Sequence, residues 1–271
     1  MKLRIYSDLH TEFASFTMPP EAGGEEILIL AGDIAVGMAA RNDIEKWSRR
    51  FRAVIYVFGN HEFYNQNHDK LIERMRQFSA TIDNFHFLEK DSVVIDGVQF
   101  LGTTLWTDLN DYAPEVVAMA EYFMNDYRQI RWEDGPGYNQ RKAIYLTPEH
   151  TYALHKESVE WLSRQDWSMP TVVITHHTPH EMFLNLDRYG KDELNYAYFT
   201  DLSEQIKKWK PCIWVAGHTH KRVESMLHDT LMFSNPRGYI GYDPVIDFAK
   251  NRVLKLDERT IKSCQRVRNT D

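Results

Sequence analysis

Five short blocks of this 271-residue chain carry side chains that bind metal ions: Asp8-Leu9-His10, Gly32-Asp33, Gly59-Asn60-His61-Glu62, His176-His177 and Gly217-His218-Thr219-His220. Carboxylate, imidazole and amide oxygen form a mixed O/N set that suits borderline or hard divalent ions, and no thiolate takes part. Residues i and i+2 of an extended segment share a side, so Asp8 and His10 project together, and His218 and His220 repeat that pincer. Two pincers with a shared carboxylate can hold two cations, and a phosphoester site wants such a pair about 3.5–4 Å apart.

The blocks imply the elements that position them. Each follows an apolar run: Lys2–Tyr6, Ile27–Leu30, Ala53–Phe58, Thr171–Ile174 and Pro211–Ala216. Short β-branched and aromatic runs closed by Gly, Asn or Asp favour strand over helix. Strands lying side by side gather all five blocks on one rim, where ligand sites of α/β sheets form. Helical spacing marks Asn42–Phe51, His68–Phe78, Pro148–Gln165 and Asp201–Trp209, the third opened by Thr147 as N-cap and Pro148 at the first helical position. Asp96-Gly97 joins Ser92–Ile95 to Val98–Leu101 as a hairpin. Parallel βα units plus a hairpin imply mixed sheets.

An apolar content of 43% in 271 residues supports a sizeable core. Because the blocks span Asp8 to His220 without a Pro/Gly/Ser linker, a single domain over 1–271 is expected. The stretch 107–146 stands apart, with Tyr112, Tyr122, Phe123, Tyr127, Trp132, Tyr138 and Tyr145 around a Gly135-Pro136-Gly137 break. It reads as a helical, aromatic-rich insertion over the site, most of whose rings pack on the core while one or two are candidates for substrate contact. A net charge of −7 offers no broad basic surface, which disfavours nucleic acid as a partner. The first strand starts at Lys2, leaving no room for a signal peptide, and no apolar run reaches membrane-spanning length. With only Cys212 and Cys264, the chain suits a reducing cytoplasm and no membrane association is expected.

The ordered blocks resemble those of the calcineurin-like metallophosphoesterase superfamily, whose pattern is D-x-H, G-D, G-N-H-[DE], H and G-H-x-H. The resemblance runs from about residue 1 to residue 237. It implies an α/β fold, a four-layer α-β-β-α sandwich of two mixed sheets flanked by helices. It further implies two divalent ions (Mn, Fe or Zn), one held by Asp8, His10, Asp33 and His220 and the other by Asp33, Asn60, His176 and His218, with Asp33 as the bridge. The resemblance also implies that a metal-bridging hydroxide attacks a phosphate mono- or diester in line with the leaving oxygen, with His61 expected to protonate or stabilise that oxygen. Charge supports the assignment: two ions bring +4, Asp8 and Asp33 remove two, the hydroxide one more, and neutral Asn60 preserves the surplus that draws a phosphate.

One departure narrows the family. The phosphoprotein phosphatase branch continues its second block as G-D-x-V-D-R-G, whereas here Gly32-Asp33 runs on into Ile34-Ala35-Val36-Gly37. The carboxylate that would steady the catalytic histidine and the phosphate-binding arginine are missing, and Glu62 is a poor partner for His61 by adjacency alone. His176 rather than His177 is taken as the ligand because it directly follows the run ending at Thr175. His177 and Arg237, beside the Asn235-Pro236 turn, remain candidates for substrate contact. His180, Arg188 and Lys191 read as exposed, and His68, His86, His150, His155 and His228 as uncatalytic. A small phosphorylated substrate is the expected partner. The rivals are a cyclic-nucleotide or nucleic-acid phosphodiesterase on the same site, and a noncatalytic metal-binding interaction module.

Overall fold

The computed structural model describes residues 1–134 and 143–256; the Gly135-Pro136-Gly137 break, Tyr138 and Cys264 lie outside them. In chain order the first strands are β1 (Lys2–Tyr6), β2 (Gly24–Ala31), β3 (Phe51–Val57), β4 (Phe85–Phe87), β5 (Asp91–Ile95) and β6 (Val98–Thr103). The short pair β7 (Arg131–Glu133) and β8 (Ile144–Tyr145) precedes β9 (Thr171–Thr175) and β10 (Ile213–Val215). The last are β11 (Val223–Leu227), β12 (Thr230–Ser234), β13 (Gly238–Tyr239), β14 (Asp243–Pro244) and β15 (Val253–Lys255).

Two mixed sheets result, ordered β15-β1-β2-β3-β4 and β11-β12-β10-β9-β6-β5. Within the first, β1 to β4 run parallel and β15 closes an edge antiparallel. Within the second, β6, β9, β10 and β12 run parallel between antiparallel edges.

Strand alternation divides the apolar side chains between two sides of each sheet. Leu3, Ile5, Ile27, Ile29, Ile55 and Val57 meet Phe100, Val172, Ile174, Val215 and Phe233 in the layer between the sheets. Residues of opposite parity in the first sheet, among them Leu28, Leu30, Val54 and Tyr56, pack on Ile44 and Trp47 of the helix Arg41–Ser48 and on Leu71, Met75 and Phe78 of the helix His68–Ser79. On the far side of the second sheet, Val173, Trp214 and Met232 meet Leu162 of the helix Pro148–Ser163 and Ile206 and Trp209 of the helix Ser203–Trp209. The layers are therefore α-β-β-α, as expected. The helix read as Asn42–Phe51 stops at Ser48, because Phe51 opens β3 and buries its ring in the core.

Local signals behave as their chemistry dictates. Asp96 and Gly97 both take positive φ, the requirement of a tight two-residue hairpin turn. Thr147 caps its helix through a box closed by the His150 side chain, which gives that histidine a structural task. The Asn235-Pro236 turn proves to be a staple between the sheets: Asn235 donates to the carbonyls of Ile5 (3.0 Å) and Ala249 (3.1 Å) and accepts from the Ala249 amide, while Pro236 bridges to Ser7. Among the described residues no helix is long and apolar enough to cross a membrane.

Candidate metal centre

The site lies where the parallel strands of both sheets end. Asp8 follows β1, Asp33 follows β2, Asn60 follows β3, His176 follows β9 and His218 follows β10. Asp8, His10, Asp33, His218 and His220 all adopt positive φ, a conformation that costs energy for non-glycine residues and clusters at functional sites. Two glycines make room for this crowding. A Cβ at Gly32, itself at φ +83°, would stand 2.2 Å from His176 Nδ1, and one at Gly59 would stand 2.2 Å from Asp33 Oδ1.

Asp8, His10 and His220 form one cluster of ligand atoms, His10, Asp33 and His61 a second, and Asp33, His176 and His218 a third. His10 Nε2 is 3.1 Å from His220 Nε2, which lies 3.5 Å from Asp8 Oδ1. His176 Nε2 stands 3.1 Å from Asn60 Oδ1 and 3.3 Å from Asp33 Oδ2. The same Asp33 oxygen is 3.8 Å from His10 Nε2 and 4.0 Å from His61 Nε2. Asp33 thus belongs to two of the three clusters.

The supporting bonds set which ring nitrogen faces inward. His176 Nδ1 meets the Ala31 carbonyl at 3.0 Å and His10 Nδ1 meets Glu12 Oε1 at 3.1 Å, leaving both Nε2 atoms turned to the centre. Glu12 answers a question the adjacency of Glu62 could not: the same Oε1 lies 3.2 Å from His61 Nδ1, so it orients ligand and neighbouring histidine together. Tyr239 hydroxyl is 3.1 Å from His61 Nε2. Glu12 had only its nearness to His10 in sequence as a signal; Tyr239 had none.

Glu62 supports the loops instead. Fully buried, its carboxylate accepts the amides of Asp33 (2.9 Å), Ile34 (2.6 Å) and Gly59 (2.7 Å) and the Tyr56 hydroxyl (2.6 Å). It ties the Gly32-Asp33 and Gly59-Asn60 turns to one anchor. Glu62→Ala strands those amides at about 1–3 kcal/mol each, so urea titration should show a loss of about 4 kcal/mol or more together with weaker metal uptake. An unchanged midpoint would remove Glu62 from this role.

Electrostatics sort the charged from the neutral donors. Burial opposes the Asp33 carboxylate, but His176, His61 and His10 outweigh it and hold Asp33 well below the ordinary range. Burial likewise opposes charge on His61, yet Asp33 and Glu12 raise it to about 9; bound cations act against that protonation. Burial and the neighbouring histidines keep His218 neutral, and burial lowers His220 too. Neutral imidazole is the form that ligates metal. Burial and His176 push His177 down to about 3.

The two residues considered for substrate contact face elsewhere. Arg237 donates to the carbonyls of Leu9 (3.0 Å), Ala14 (2.8 Å) and Ser15 (2.9 Å), fixing the loop after β1. His177 is buried with Nδ1 3.3 Å from the Thr104 carbonyl and its ring against His218 and Trp106. Two clefts open instead on the ligand rim, of about 540 and 410 Å3. Both are lined by Tyr198, His218 and Tyr239. The larger also meets Phe13, Tyr64, Phe123 and Tyr242, and among its described lining residues there is no Lys or Arg.

The residues present fit metal binding. Among the described residues, Asp8 Oδ2 and His218 Nε2 are buried side-chain atoms without a hydrogen-bond partner, a costly state for polar atoms unless a cation engages them.

The chain is 25% identical over 264 residues to Uncharacterized protein L509 of Acanthamoeba polyphaga mimivirus, covering 88% of this chain and 91% of that one. Its fold is similar to the crystal structure of Phosphopantetheinyl Hydrolase (PptH) from Mycobacterium tuberculosis, with a TM-score of 0.67, 21% identity, and 88% of this chain and 89% of that chain covered. The family model for calcineurin-like phosphoesterase matches residues 1–222, a span that takes in every ligand block. With that match extending over most of its length, the chain belongs to the calcineurin-like phosphoesterases, metal-dependent hydrolases of phosphate esters.

Proposed function

We propose that the chain hydrolyses a phosphodiester at a two-metal centre bridged by Asp33. The observation that carries the two-metal reading is the position of Asp33 between the Asp8/His10/His220 and His176/His218 groups. Asp8, His10, Asp33 and His220 would hold one ion, and Asp33, Asn60, His176 and His218 the other. Such a pair supplies an activated water and neutralises charge gathering on the phosphoryl oxygens. The chain's own contribution is then to position and protonate. His61, held through Nδ1 by Glu12, turns Nε2 toward Asp33 Oδ2 and the Tyr239 hydroxyl, from where it would supply the proton that a leaving oxygen needs.

Two observations support a diester over a monoester. A diester needs space on both sides of phosphorus, and two clefts meet at Tyr198, His218 and Tyr239. A monoester dianion is commonly clamped by Arg or Lys, yet the described lining of both clefts carries neither. Titrating the apo protein with manganese, iron or zinc while following aryl phosphate diester and monoester hydrolysis tests this. Diester turnover is expected to lead by roughly tenfold or more in kcat/KM, about 1.4 kcal/mol in the barrier. A monoester lead would reverse the substrate class. Metal uptake without hydrolysis of either would leave a binding module.

A further inference from the structure

Resting on the two-metal reading, we propose that Asp126 is a positioning residue for the metal centre: it aims the side-chain oxygen of Asn60 at the ion that His176 and His218 would also hold, and so makes the short helix Asp126–Gln129 part of the site.

The argument begins with the asymmetry of an amide. Asn60 presents one face as an acceptor and the other as a donor, and only the acceptor can serve a cation. Rotating the amide by half a turn would put Nδ2 where Oδ1 belongs. The surroundings decide between the two. Asp126 Oδ1 accepts from the outer atom of the amide at 2.8 Å, which assigns that atom as Nδ2. The Tyr64 hydroxyl stands 3.2 Å from the same nitrogen. With both amide hydrogens engaged there, Oδ1 is left facing His176 Nε2 at 3.1 Å.

Asp126 is itself held for this task. It is buried at 3% exposure, opening the short helix Asp126–Gln129 within the aromatic-rich segment. The helix and the strand β7 that follows it are tied to the loop after the Asn60 block by two backbone bonds, Asn65 N–H to the Gln129 carbonyl (2.9 Å) and Arg131 N–H to the Gln66 carbonyl (2.9 Å). Beside it, Tyr64 packs its ring 4.4 Å from that of His61. A neutral amide is a weaker ligand than a carboxylate, so its affinity depends more on being aimed correctly. Outer partners of this kind are worth about 10–100-fold in metal affinity when removed.

The test is metal binding rather than turnover. The parent chain should bind two manganese ions and show the exchange-coupled spectrum of a close pair by electron paramagnetic resonance. Asp126→Leu, which cannot accept a hydrogen bond, should keep one tight ion and bind the second about 10–100-fold more weakly, with the coupled signal giving way to that of isolated ions. Asp126→Asn retains an acceptor oxygen and should lose less. If Asp126→Leu does not fold, the Asp126→Asn loss is measured in the Asn60→Ala background, where it should vanish because the residue acts through Asn60. Two ions bound by folded Asp126→Leu with unchanged affinity and coupling, or an Asp126→Asn loss that persists without Asn60, would overturn the inference alone. A parent chain that binds fewer than two ions would overturn the two-metal reading, and this inference with it.

Discussion

Asp33→Ala is expected to reduce bound metal from two ions to one or none and to lower kcat/KM by on the order of 10³-fold or more, at least about 4 kcal/mol of transition-state stabilisation. Asp33 Oδ2 reaches His176 Nε2 at 3.3 Å and His10 Nε2 at 3.8 Å, so it is the carboxylate common to both groups. Its other oxygen accepts the His61 amide at 2.9 Å and fixes the turn that carries Asn60. On the two-metal reading the change therefore removes a shared ligand and loosens a second. Asp33→Asn separates these effects: its amide oxygen can still accept the His61 amide, while the lost charge still weakens the metal pair. Metal content after exhaustive dialysis, measured beside steady-state kinetics, checks the result. Two ions retained by both variants would mean that Asp33 bridges nothing.

His61→Ala should behave in the opposite way, keeping both ions while kcat falls by roughly 10²–10⁴-fold, the span of a positioned acid or base. His61 Nε2 lies 4.0 Å from Asp33 Oδ2, farther than the Nε2 atoms of His176 (3.3 Å) and His10 (3.8 Å), and its other nitrogen and its ring are engaged by Glu12 and Tyr64. It could nonetheless join His10 and Asp33 around an ion, since the three form a compact cluster. Metal content decides between the roles. Loss of an ion on the scale of Asp33→Ala would make His61 a ligand. A kcat loss that shrinks for substrates with a more acidic leaving group would identify the proton it supplies, because such groups need less help to depart.

Much of this protein is legible in its amino-acid sequence, because the decisive signals are local. Strand runs followed by a ligand at β1, β2, β3, β9 and β10 depend on side-chain alternation and on turn residues within a few positions. The Asp96-Gly97 hairpin and the Thr147 cap are likewise properties of two to four residues. The four-layer arrangement follows from apolar residues of both parities in strands that must be covered on both sides. Helix boundaries were less legible: Asn42–Phe51 reads as one helical stretch, but whether Phe51 belongs to helix or strand is settled by the core it enters.

The linear chain thus determined the donor chemistry, the order of the ligands and the sheets that present them. The tertiary structure decided their supports. Glu12 serves His61 across 49 positions and Asp126 serves Asn60 across 66, while Arg237, a plausible phosphate clamp by type, spends its donors on carbonyls of the loop after β1. The physical reason is that a ligand's identity is fixed by its own side chain and its local turn, whereas a support is defined by which distant donor or acceptor happens to be brought within 3 Å, and that depends on how separate segments close over one rim.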